Sequence, residues 1–252
     1  MPDGDVDVGQ DAEWCEIVAG GNKKRLRFHD YHEIYSIPGL YEELFYRRLQ
    51  CCSPSRITRL LDEVIRDAGD HPEDLRALDL GAGHGMVGDE LSNRGVDTII
   101  GVDILPEARE AALRDRPEVY EDYLVADLSN LPEHLEKKLR GLRLNCLTSV
   151  AALGFGDIPT AAFMKALDLI ETDGWIGLTI KEDFLHESDT SGFCRLVSEL
   201  NRRRVIQTQA YRRYQHRVSI SGKPLYYVAL VSRKLRDIPA HLSCEELELA
   251  QH

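Results

Sequence analysis

The stretch Leu78-Asp79-Leu80-Gly81-Ala82-Gly83-His84-Gly85 decides the fold of this chain. An apolar strand pattern runs into it and a helical pattern leaves it, so its glycines fall at the carboxyl edge of a predicted sheet. Glycine at such an edge lets the backbone turn sharply and lets a ligand approach main-chain N–H groups without a Cβ in the way. A tight turn that binds no ligand is the alternative, and three glycines at alternate positions argue against it.

The segments on either side of this loop alternate between strand and helix patterns. The predicted strands are Leu75–Leu80, Asp97–Val102, Tyr120–Ala126, Arg143–Val150 and Trp175–Lys181, and the predicted helices are Met86–Arg94, Pro106–Arg114, Leu131–Leu139, Thr160–Glu171 and Ser191–Asn201. Such alternation at short spacing is typical of an α/β, Rossmann-like, doubly wound and mostly parallel sheet. Two further β-rich runs, Val205–Val218 and Leu225–Ser232, flank the turn residues 221–224 and predict an antiparallel C-terminal hairpin, which completes a seven-stranded sheet.

The sequence divides the chain into four parts. Residues 1–27 show little periodicity and are expected to be a flexible acidic leader. Residues 28–69 are expected to form a helical cap and the first helix, with Ser53 as the helix cap and Pro54 in the first turn. Residues 70–234 are the predicted Rossmann-like core, and residues 235–252 are a predicted polar tail.

The composition bounds the classes of function. The net charge of −12 argues against binding a nucleic-acid backbone, which requires an excess of Lys and Arg. No apolar run reaches the roughly 20 residues that span a bilayer, and no secretory signal is visible, so we expect a cytoplasmic protein without membrane contact. The six cysteines show no zinc spacing, which predicts free thiols and no metal site. These features favour a small-molecule substrate and leave the oligomeric state open.

Two acids follow the next two predicted strands. Asp103 ends the second strand, where a carboxylate can accept both hydroxyl protons of a ribose, with each such hydrogen bond worth roughly 1.5–3 kcal/mol. The alternative for Asp103 is that it caps the helix that begins near Pro106. Asp127 ends the third strand, where a carboxylate can accept a proton from an exocyclic amine while the next backbone N–H donates to a ring nitrogen. Together with the glycine loop, the two acids predict a site for a nucleoside.

The residues 78–85, Asp103 and the pair Asp127-Leu128 resemble three motifs of class I S-adenosylmethionine-dependent methyltransferases. The resemblance covers about residues 40–233, including the terminal hairpin that this family adds to the parallel sheet. Segments 95–108 and 123–132 resemble most closely the small-molecule methyltransferases and the methyltransferase-like proteins related to the Williams–Beuren-region member. The resemblance implies S-adenosylmethionine as the cofactor and S-adenosylhomocysteine as its product.

The family resemblance also implies roles for individual residues. Asp79 would orient the glycine loop, Asp103 would hold the ribose, and Asp127 would read the adenine edge. His84 departs from the Thr or Ser that such enzymes often carry, and contact with the methionine carboxylate and simple cover both remain open. The full set of expected cofactor-binding residues is Asp79, Gly81, Ala82, Gly83, His84, Asp103, Ile104, Asp127, Leu128, Ser149 and Tyr31.

A nicotinamide dinucleotide is the rival cofactor. Its fingerprint requires a third glycine, and this loop has Met86 at that position. The rival also has no natural role for Asp127 or for an antiparallel hairpin at the end of the sheet. The sequence therefore favours S-adenosylmethionine.

Candidates for catalysis and for substrate binding come from the cap and from the ends of later strands. Methyl transfer depends largely on positioning, so a catalytic base is not required. Where a base is used, His29 and His32 of the cap are the candidates, because the imidazole pKa lies near neutrality. The candidate substrate-binding residues are Tyr35, Phe155, Lys181, Glu182, His186 and His216, although the group at 181–186 has the alternative role of a solvated loop start.

Three functions are compatible with these sequence features. The favoured one is an enzyme that methylates an oxygen, nitrogen or carboxylate of a metabolite. The second is a non-catalytic partner protein that keeps the cofactor site, and the third is an RNA or protein methyltransferase. The last is disfavoured by the charge and by the end of the fourth strand of the core, which lacks an Asn-Pro-Pro-Tyr or Asp-Pro-Pro-Tyr sequence.

Overall fold

A computed structural model describes residues 8–19, 21–153, 157–185 and 192–239 of the chain. The strands are β1 (Trp14–Ala19), β2 (Asn22–Arg27), β3 (Arg76–Leu80), β4 (Thr98–Asp103), β5 (Asp122–Val125), β6 (Cys146–Leu153), β7 (Trp175–Lys181), β8 (Ile206–Val218) and β9 (Pro224–Lys234). The α-helices are α1 (Tyr31–Ser36), α2 (Ser53–Asp67), α3 (Met86–Ser92), α4 (Pro106–Asp115), α5 (Glu133–Gly141), α6 (Thr160–Asp168) and α7 (Phe193–Arg202). A π-helical segment, Glu42–Arg48, lies between α1 and α2.

The strands β3 to β9 form one seven-stranded sheet in the order β5-β4-β3-β6-β7-β9-β8. The pairs among β3 to β7 are parallel, whereas β9 runs antiparallel to both β7 and β8. The Rossmann-like class and the antiparallel C-terminal hairpin are thus confirmed. Strand order reverses between β3 and β6, and a crevice at the carboxyl ends of the strands is expected at such a switch point.

Helices cover both faces of this sheet because β3 and β4 present apolar side chains on both. Leu78 and Leu80 point to the face covered by α5, α6 and α7, where they join one buried cluster. Ala77 and Ile99 point to the opposite face and pack with α2, α3 and α4 in a second cluster. Near-continuous apolar strands of this kind are typical of parallel sheets buried on both sides.

The predicted flexible leader is wrong for residues 14–19 and 22–27, which form the two antiparallel strands of a hairpin, β1–β2. The hairpin buries Cys15 and Leu26, which pack in a third apolar cluster with residues of α1 and the π-helical segment. Most of β2 is exposed and charged, because Lys23, Lys24 and Arg25 lie on it. That run of charge hides the strand pattern from a search for apolar periodicity.

The predicted first helix begins at Ser53, but the expected helix cap is wrong. Cys52 occupies the N-cap position, and the Ser53 hydroxyl hydrogen-bonds to Tyr214 and His216 on β8 instead of to the first turn of α2. Within the cap, which was expected to be helical, the segment Glu42–Arg48 forms a π-helix. None of the described helices is both long and apolar enough to cross a bilayer.

Strand β6 ends irregularly, at the point that faces the crevice. Its pairing with β7 shifts between Val150 and Leu153, and Ala151 has a φ of 57°, in the left-handed region that non-glycine residues seldom adopt. The Ala151 N–H donates to the Thr179 hydroxyl at 2.8 Å. This bulge turns the backbone of Val150 and Ala151 toward the cavities described next.

Candidate active site

The glycine loop after β3 is held in a left-handed conformation by specific contacts. Gly81, Gly83 and Gly85 have φ values of 71°, 55° and 94°. A Cβ on Gly83 would lie 2.6 Å from the Tyr35 hydroxyl oxygen, and the Tyr123 hydroxyl donates to the Gly83 carbonyl at 2.6 Å. Only glycine meets both demands at Gly83, the backbone angle and the close approach of Tyr35.

Asp103 at the end of β4 is tied to that loop. One of its carboxylate oxygens accepts the Gly83 N–H at 3.0 Å, and the other accepts the Leu105 N–H at 3.0 Å. The alternative role as a helix cap does not hold, because Leu105 is the N-cap residue of α4. Burial raises the pKa of Asp103, against the lowering effect of the Leu105, Gly83 and Ile104 N–H groups. A carboxylate has about four acceptor sites, so Asp103 can still accept a hydrogen bond from a ligand hydroxyl.

Asp79 lies beneath the glycine loop and does not line either cavity. Its carboxylate accepts the Tyr120 hydroxyl at 2.8 Å and the Thr148 hydroxyl at 2.9 Å. Burial raises the pKa of Asp79 to about 6, although the hydrogen bonds from the two hydroxyl donors work in the opposite direction. These two contacts are with β6 and with the segment before β5 rather than with the loop itself, so the role of Asp79 in orienting the loop stays a prediction.

A cavity of about 310 Å³ opens at the carboxyl ends of β3, β4 and β5. Asp103, Ile104, Asp127 and Leu128 form one wall of it, as the sequence predicted. Ile104 is 60% exposed, and the Asp127 carboxylate accepts the Ser129 N–H at 2.8 Å. An exposed apolar side chain between two carboxylates suits an aromatic base that is joined to a sugar.

A smaller cavity adjoins the larger one and has room for about five water molecules. The glycine loop forms one side of it, and the other side comes from the cap and the terminal hairpin, including Cys51, His216 and Tyr227. The two cavities share the following lining residues at their border: His29, Tyr31, Tyr35, Tyr41, Gly81, Val150 and Ala151.

His84 lies in the wall of the smaller cavity. It is 3% exposed, its ring centroid lies 4.2 Å from that of Tyr41, and burial lowers its pKa to about 3. The buried Nε2 atom has no hydrogen-bond partner among the described residues, and its nearest carboxylate, Glu42, is 3.9 Å away. An orphaned imidazole nitrogen beside the glycine loop fits a polar group of the cofactor's methionine end.

The cap residues proposed from sequence all line at least one of the two cavities, but not all of them line both. His29 lines both cavities, with its Nδ1 atom 3.6 Å from an Asp157 carboxylate oxygen. His32 is exposed and lines only the larger cavity. Tyr31 and Tyr35 line both, and their rings stack with centroids 5.9 Å apart. Burial raises the pKa of both tyrosines, so they present neutral rings.

Several predicted residues are not brought to the cavities. Lys181 pairs with Asp183 at 2.7 Å and Glu182 pairs with Arg213 at 2.7 Å, and neither lines a cavity. Ser149 is fully buried behind the border, and its hydroxyl has no partner among the described residues. Phe155 and His186 lie outside the described residues. The substrate-binding role of these residues stays a prediction.

The sequence predicted His216 as a substrate-binding residue, but not the hydrogen bonds that hold its ring. Its Nδ1 atom lies 2.5 Å from the Ser53 hydroxyl oxygen, which lies 2.5 Å from the Tyr214 hydroxyl oxygen. The ring stacks on Tyr227 with centroids 4.0 Å apart. The alternation of side chains along β8 places residues 214 and 216 on one face, which was the available signal. Nothing local connects them to Ser53, far away in sequence.

A buried ion pair at the N-terminal end of the chain was also missed. Glu13 and Arg217 are paired with side chains 0% and 3% exposed, and Glu13 also accepts the Ile220 N–H at 2.7 Å. Next to it, the Gln10 amide donates to the Tyr227 hydroxyl at 2.8 Å. Residues 9–13 together with the cap, residues 28–52, therefore cover the smaller cavity, and we call these two segments the roof.

A family model for a methyltransferase domain matches residues 47–223 of the chain. A search of curated proteins found none that matches this chain. Among solved structures, the N-methyltransferase NodS of Bradyrhizobium japonicum, in complex with S-adenosyl-L-homocysteine, is 11% identical, with a TM-score of 0.54 over 83% of this chain and 98% of that one. A SAM-dependent methyltransferase of Anabaena variabilis is 14% identical, with a TM-score of 0.53 over 83% and 96%. An rRNA methylase of Streptococcus thermophilus is 18% identical, with a TM-score of 0.46 over 73% and 94%. At these identities the solved structures show the fold and not the acceptor.

The glycine loop, the acids after β4 and β5 and the sheet order are those of a class I methyltransferase fold. Since the family model spans more than half of the chain, the protein belongs to the methyltransferase-domain family. It is an S-adenosylmethionine-dependent methyltransferase, and S-adenosylmethionine is its cofactor.

Proposed function

We propose that the protein transfers the methyl group of S-adenosylmethionine to a small molecule, at an oxygen, nitrogen or carboxylate. The observation that carries this proposal is the roof over the smaller cavity. The buried pair Glu13–Arg217 and the bond from Gln10 to Tyr227 hold the roof against the terminal hairpin. A covered chamber suits a free metabolite better than a residue within a folded RNA or protein.

The residues of the larger cavity are proposed to hold the nucleoside. Asp103 would accept the ribose hydroxyls, Asp127 and the Leu128 N–H would read the adenine edge, and Ile104 would pack on the base. Gly81 and Gly83, with Ala82 and His84, would face the methionine end. When bound, the cofactor supplies a methyl group on a positively charged sulfur. The neutral faces of Tyr31 and Tyr41 at the border suit a cation of this kind.

The chain's own residues would act mainly by positioning the acceptor. Alignment within a closed site supplies a large part of the rate of such displacements. Of the two bases predicted in the cap, His29 is the better placed, because it lines both cavities whereas His32 is exposed. The closer placement near the methyltransferase-like proteins related to the Williams–Beuren-region member is part of this proposal and rests on segments 95–108 and 123–132. The cytoplasmic location remains a prediction.

The cofactor site is tested by isothermal titration with S-adenosylmethionine and with NAD. We expect heat only with S-adenosylmethionine, and heat only with NAD would contradict the assignment. In the same experiment, Asp103→Ala is expected to weaken S-adenosylmethionine binding by more than about tenfold, because a charge-assisted hydrogen bond is lost. Asp97→Ala, which alters an exposed acid just before the same strand, is the matched control and should leave affinity unchanged.

The acceptor is sought with cofactor that carries a labelled methyl group. Incubation of the protein with a metabolite extract should yield a labelled small product. Label that enters only RNA or protein would contradict the proposal, and so would bound cofactor that transfers no label to any fraction, which is the result expected of a non-catalytic partner protein.

A further inference from the structure

His216 lies in the wall of the smaller cavity, on the side formed by the cap and the terminal hairpin and not by the glycine loop. Its ring is 4% exposed, stacked on Tyr227 and held at Nδ1 by the Ser53 hydroxyl at 2.5 Å. The Ser53 hydroxyl continues to the Tyr214 hydroxyl at 2.5 Å. Among the described residues only Nδ1 of the ring has hydrogen-bond partners, which leaves Nε2 as the atom that a ligand in the cavity can meet.

The charge balance of the smaller cavity restricts what it can hold. Arg217 lines it, but its guanidinium is already engaged by Glu13 and by the Val218 carbonyl. Burial lowers the pKa of both His84 and His216, and it raises the pKa of Cys51 to about 11. Apart from Arg217, which is paired with Glu13, the described lining contains no Asp, Glu, Lys or Arg side chain, so the protein itself offers a charged acceptor little compensation for its lost hydration.

The position of His216 relative to the border gives it a chemical task. With the nucleoside in the larger cavity and the methionine end on the glycine loop, the methyl group falls near the border residues Gly81, Val150 and Ala151. The wall that remains for an acceptor is the one formed by His216, Tyr227 and Cys51, with the rings of the cap above it.

On the basis of the proposed function, we infer that the acceptor is a small uncharged molecule with a weakly acidic hydroxyl, of the phenol class, and that Nε2 of His216 takes the hydroxyl proton. The aromatic walls supplied by Tyr31, Tyr41 and Tyr227 suit a single planar ring. A phenol keeps its hydroxyl proton at neutral pH, so its methylation is helped by a group that accepts this proton.

In the inferred reaction, atoms and electrons balance among the acceptor, the cofactor and His216. The acceptor oxygen forms a bond to the methyl carbon, the carbon–sulfur bond breaks with its electron pair going to sulfur, and the hydroxyl proton passes to Nε2. The products are a methyl ether, S-adenosylhomocysteine and an imidazolium that then returns its proton to solvent. Nε2 is free to accept only if Nδ1 carries the ring proton, so Nδ1–H donates to Ser53 and the Ser53 hydroxyl donates to Tyr214. Ser53 and Tyr214 are positioning residues in this scheme.

The tautomer is tested without any turnover. Nitrogen-15 NMR of histidine-labelled protein, assigned with His216→Gln, is expected to show the proton on Nδ1 and an unprotonated Nε2 whose shift moves when phenol is added. The inference would be overturned if Nε2 carried a proton in the presence of phenol. It would also be overturned if the chemical shift of Nε2 did not change when phenol is added. This measurement needs neither cofactor nor activity.

Kinetics with matched acceptors tests the base. With phenol, His216→Gln is expected to lower kcat by about 100-fold with little change in KM, as for loss of a general base. With para-nitrophenol, which ionises near neutral pH without help, the same variant is expected to lose less than about threefold. His134→Gln, which alters an exposed histidine on α5, is the control and should match wild type. An equal loss with both acceptors would show a structural defect and overturn the inference, as would a loss caused by His29→Gln and not by His216→Gln.

The positioning residues and the acceptor charge are tested in the same assay. Ser53→Ala is expected to lower kcat for phenol by about tenfold, and Ser53→Thr, which keeps the hydroxyl, to restore it. Wild type is expected to prefer phenol to para-hydroxybenzoate and to tyramine, which add one negative or one positive charge to the same ring. Preference for either charged acceptor, or no turnover of phenol, would overturn the assignment of acceptor class.

Titration of the cofactor separates this inference from the proposed function. If S-adenosylmethionine binds and labels a product other than a phenol ether, the proposed function stands and the inference fails. If S-adenosylmethionine does not bind, the proposed function fails first, and the inference falls with it.

Discussion

The two cavities of this protein are built in different ways. One wall of the larger cavity is formed by residues at the ends of consecutive strands, such as Asp103 at the end of β4 and Asp127 just beyond β5. The smaller one combines Gln10, Cys51, His216 and Tyr227, which come from distant parts of the chain and act through side chains. The comparison teaches that the cofactor half is specified locally, whereas the acceptor half depends on how the termini pack.

The largest effect that tests this difference between the two cavities is expected from a substitution in the roof. Glu13→Gln leaves Arg217 charged and buried without its partner, and loss of one member of a buried pair costs about 3 to 5 kcal/mol. We expect the free energy of unfolding, measured with denaturant, to fall by that amount. If the two halves are separate, the affinity of the folded protein for S-adenosylmethionine changes little.

Two controls bear on the Glu13 result. Glu16→Gln alters an exposed acid on the neighbouring strand β1 and should cost less than about 0.5 kcal/mol. Glu13→Gln combined with Arg217→Met removes both charges and should recover most of the loss. If the double variant does not recover the free energy of unfolding, contacts other than this ion pair hold the N-terminal segment against the terminal hairpin.

The glycine loop gives the next largest effect, this time on the cofactor half. Gly83→Ala adds a Cβ that would lie 2.6 Å from the Tyr35 hydroxyl oxygen, at a φ of 55°. Tyr35 is buried and stacked on its neighbours, so the loop has to move and its N–H groups with it. Titration should show S-adenosylmethionine affinity reduced by about 100-fold.

The control for the loop separates strain from contact. Gly95→Ala introduces the same kind of backbone strain, at a φ of 89°, with nothing near the new Cβ. It should cost about 1 kcal/mol of stability and leave affinity unchanged. If Gly83→Ala and Gly95→Ala behave alike, the close approach of Tyr35 is not what shapes the loop.

The smallest effect concerns Asp79 and pH. Because burial raises the pKa of Asp79 from 3.8 to about 6, the folded protein holds a proton that the unfolded chain has already released between these values. Stability contributed by the protonated group is therefore lost as pH rises from about 4 to 6. Relative to Asp79→Asn, the wild-type free energy of unfolding should fall by about 2 to 3 kcal/mol over this range and then level off. A difference that does not change with pH would contradict the raised pKa of Asp79.

The sequence predicts the sheet well because its strands are short apolar runs between clear glycine and proline signals. The bounds of β7 agree residue for residue with the prediction, and β3, α4 and α6 begin or end within a few residues of it. The larger cavity follows from the same pattern, since a residue that ends a parallel strand must lie at the carboxyl edge. This is why Asp103 could be placed at this edge from the strand pattern, whereas the places of Ile104 and Leu128 were implied by the family resemblance.

The N-terminal hairpin β1–β2 and the long-range contacts of Ser53 and Glu13 could not be predicted in this way, for a physical reason. Strand β2 carries Lys23, Lys24 and Arg25 on an exposed surface, so its composition resembles a solvated segment. The partners of Ser53 and of Glu13 lie on β8, and pairing across so many residues leaves no mark in local periodicity. Tertiary packing decides both contacts, and a prediction from propensity assigns Ser53 to a helix cap instead.

The border that the two cavities share has a consequence for the order of binding. His29, Tyr31 and Tyr35 line both cavities there, so a molecule in the larger cavity lies against the opening of the smaller one. If the acceptor occupies the smaller cavity as proposed, we expect it to bind before the methyl donor, and inhibition patterns with S-adenosylhomocysteine would test this order.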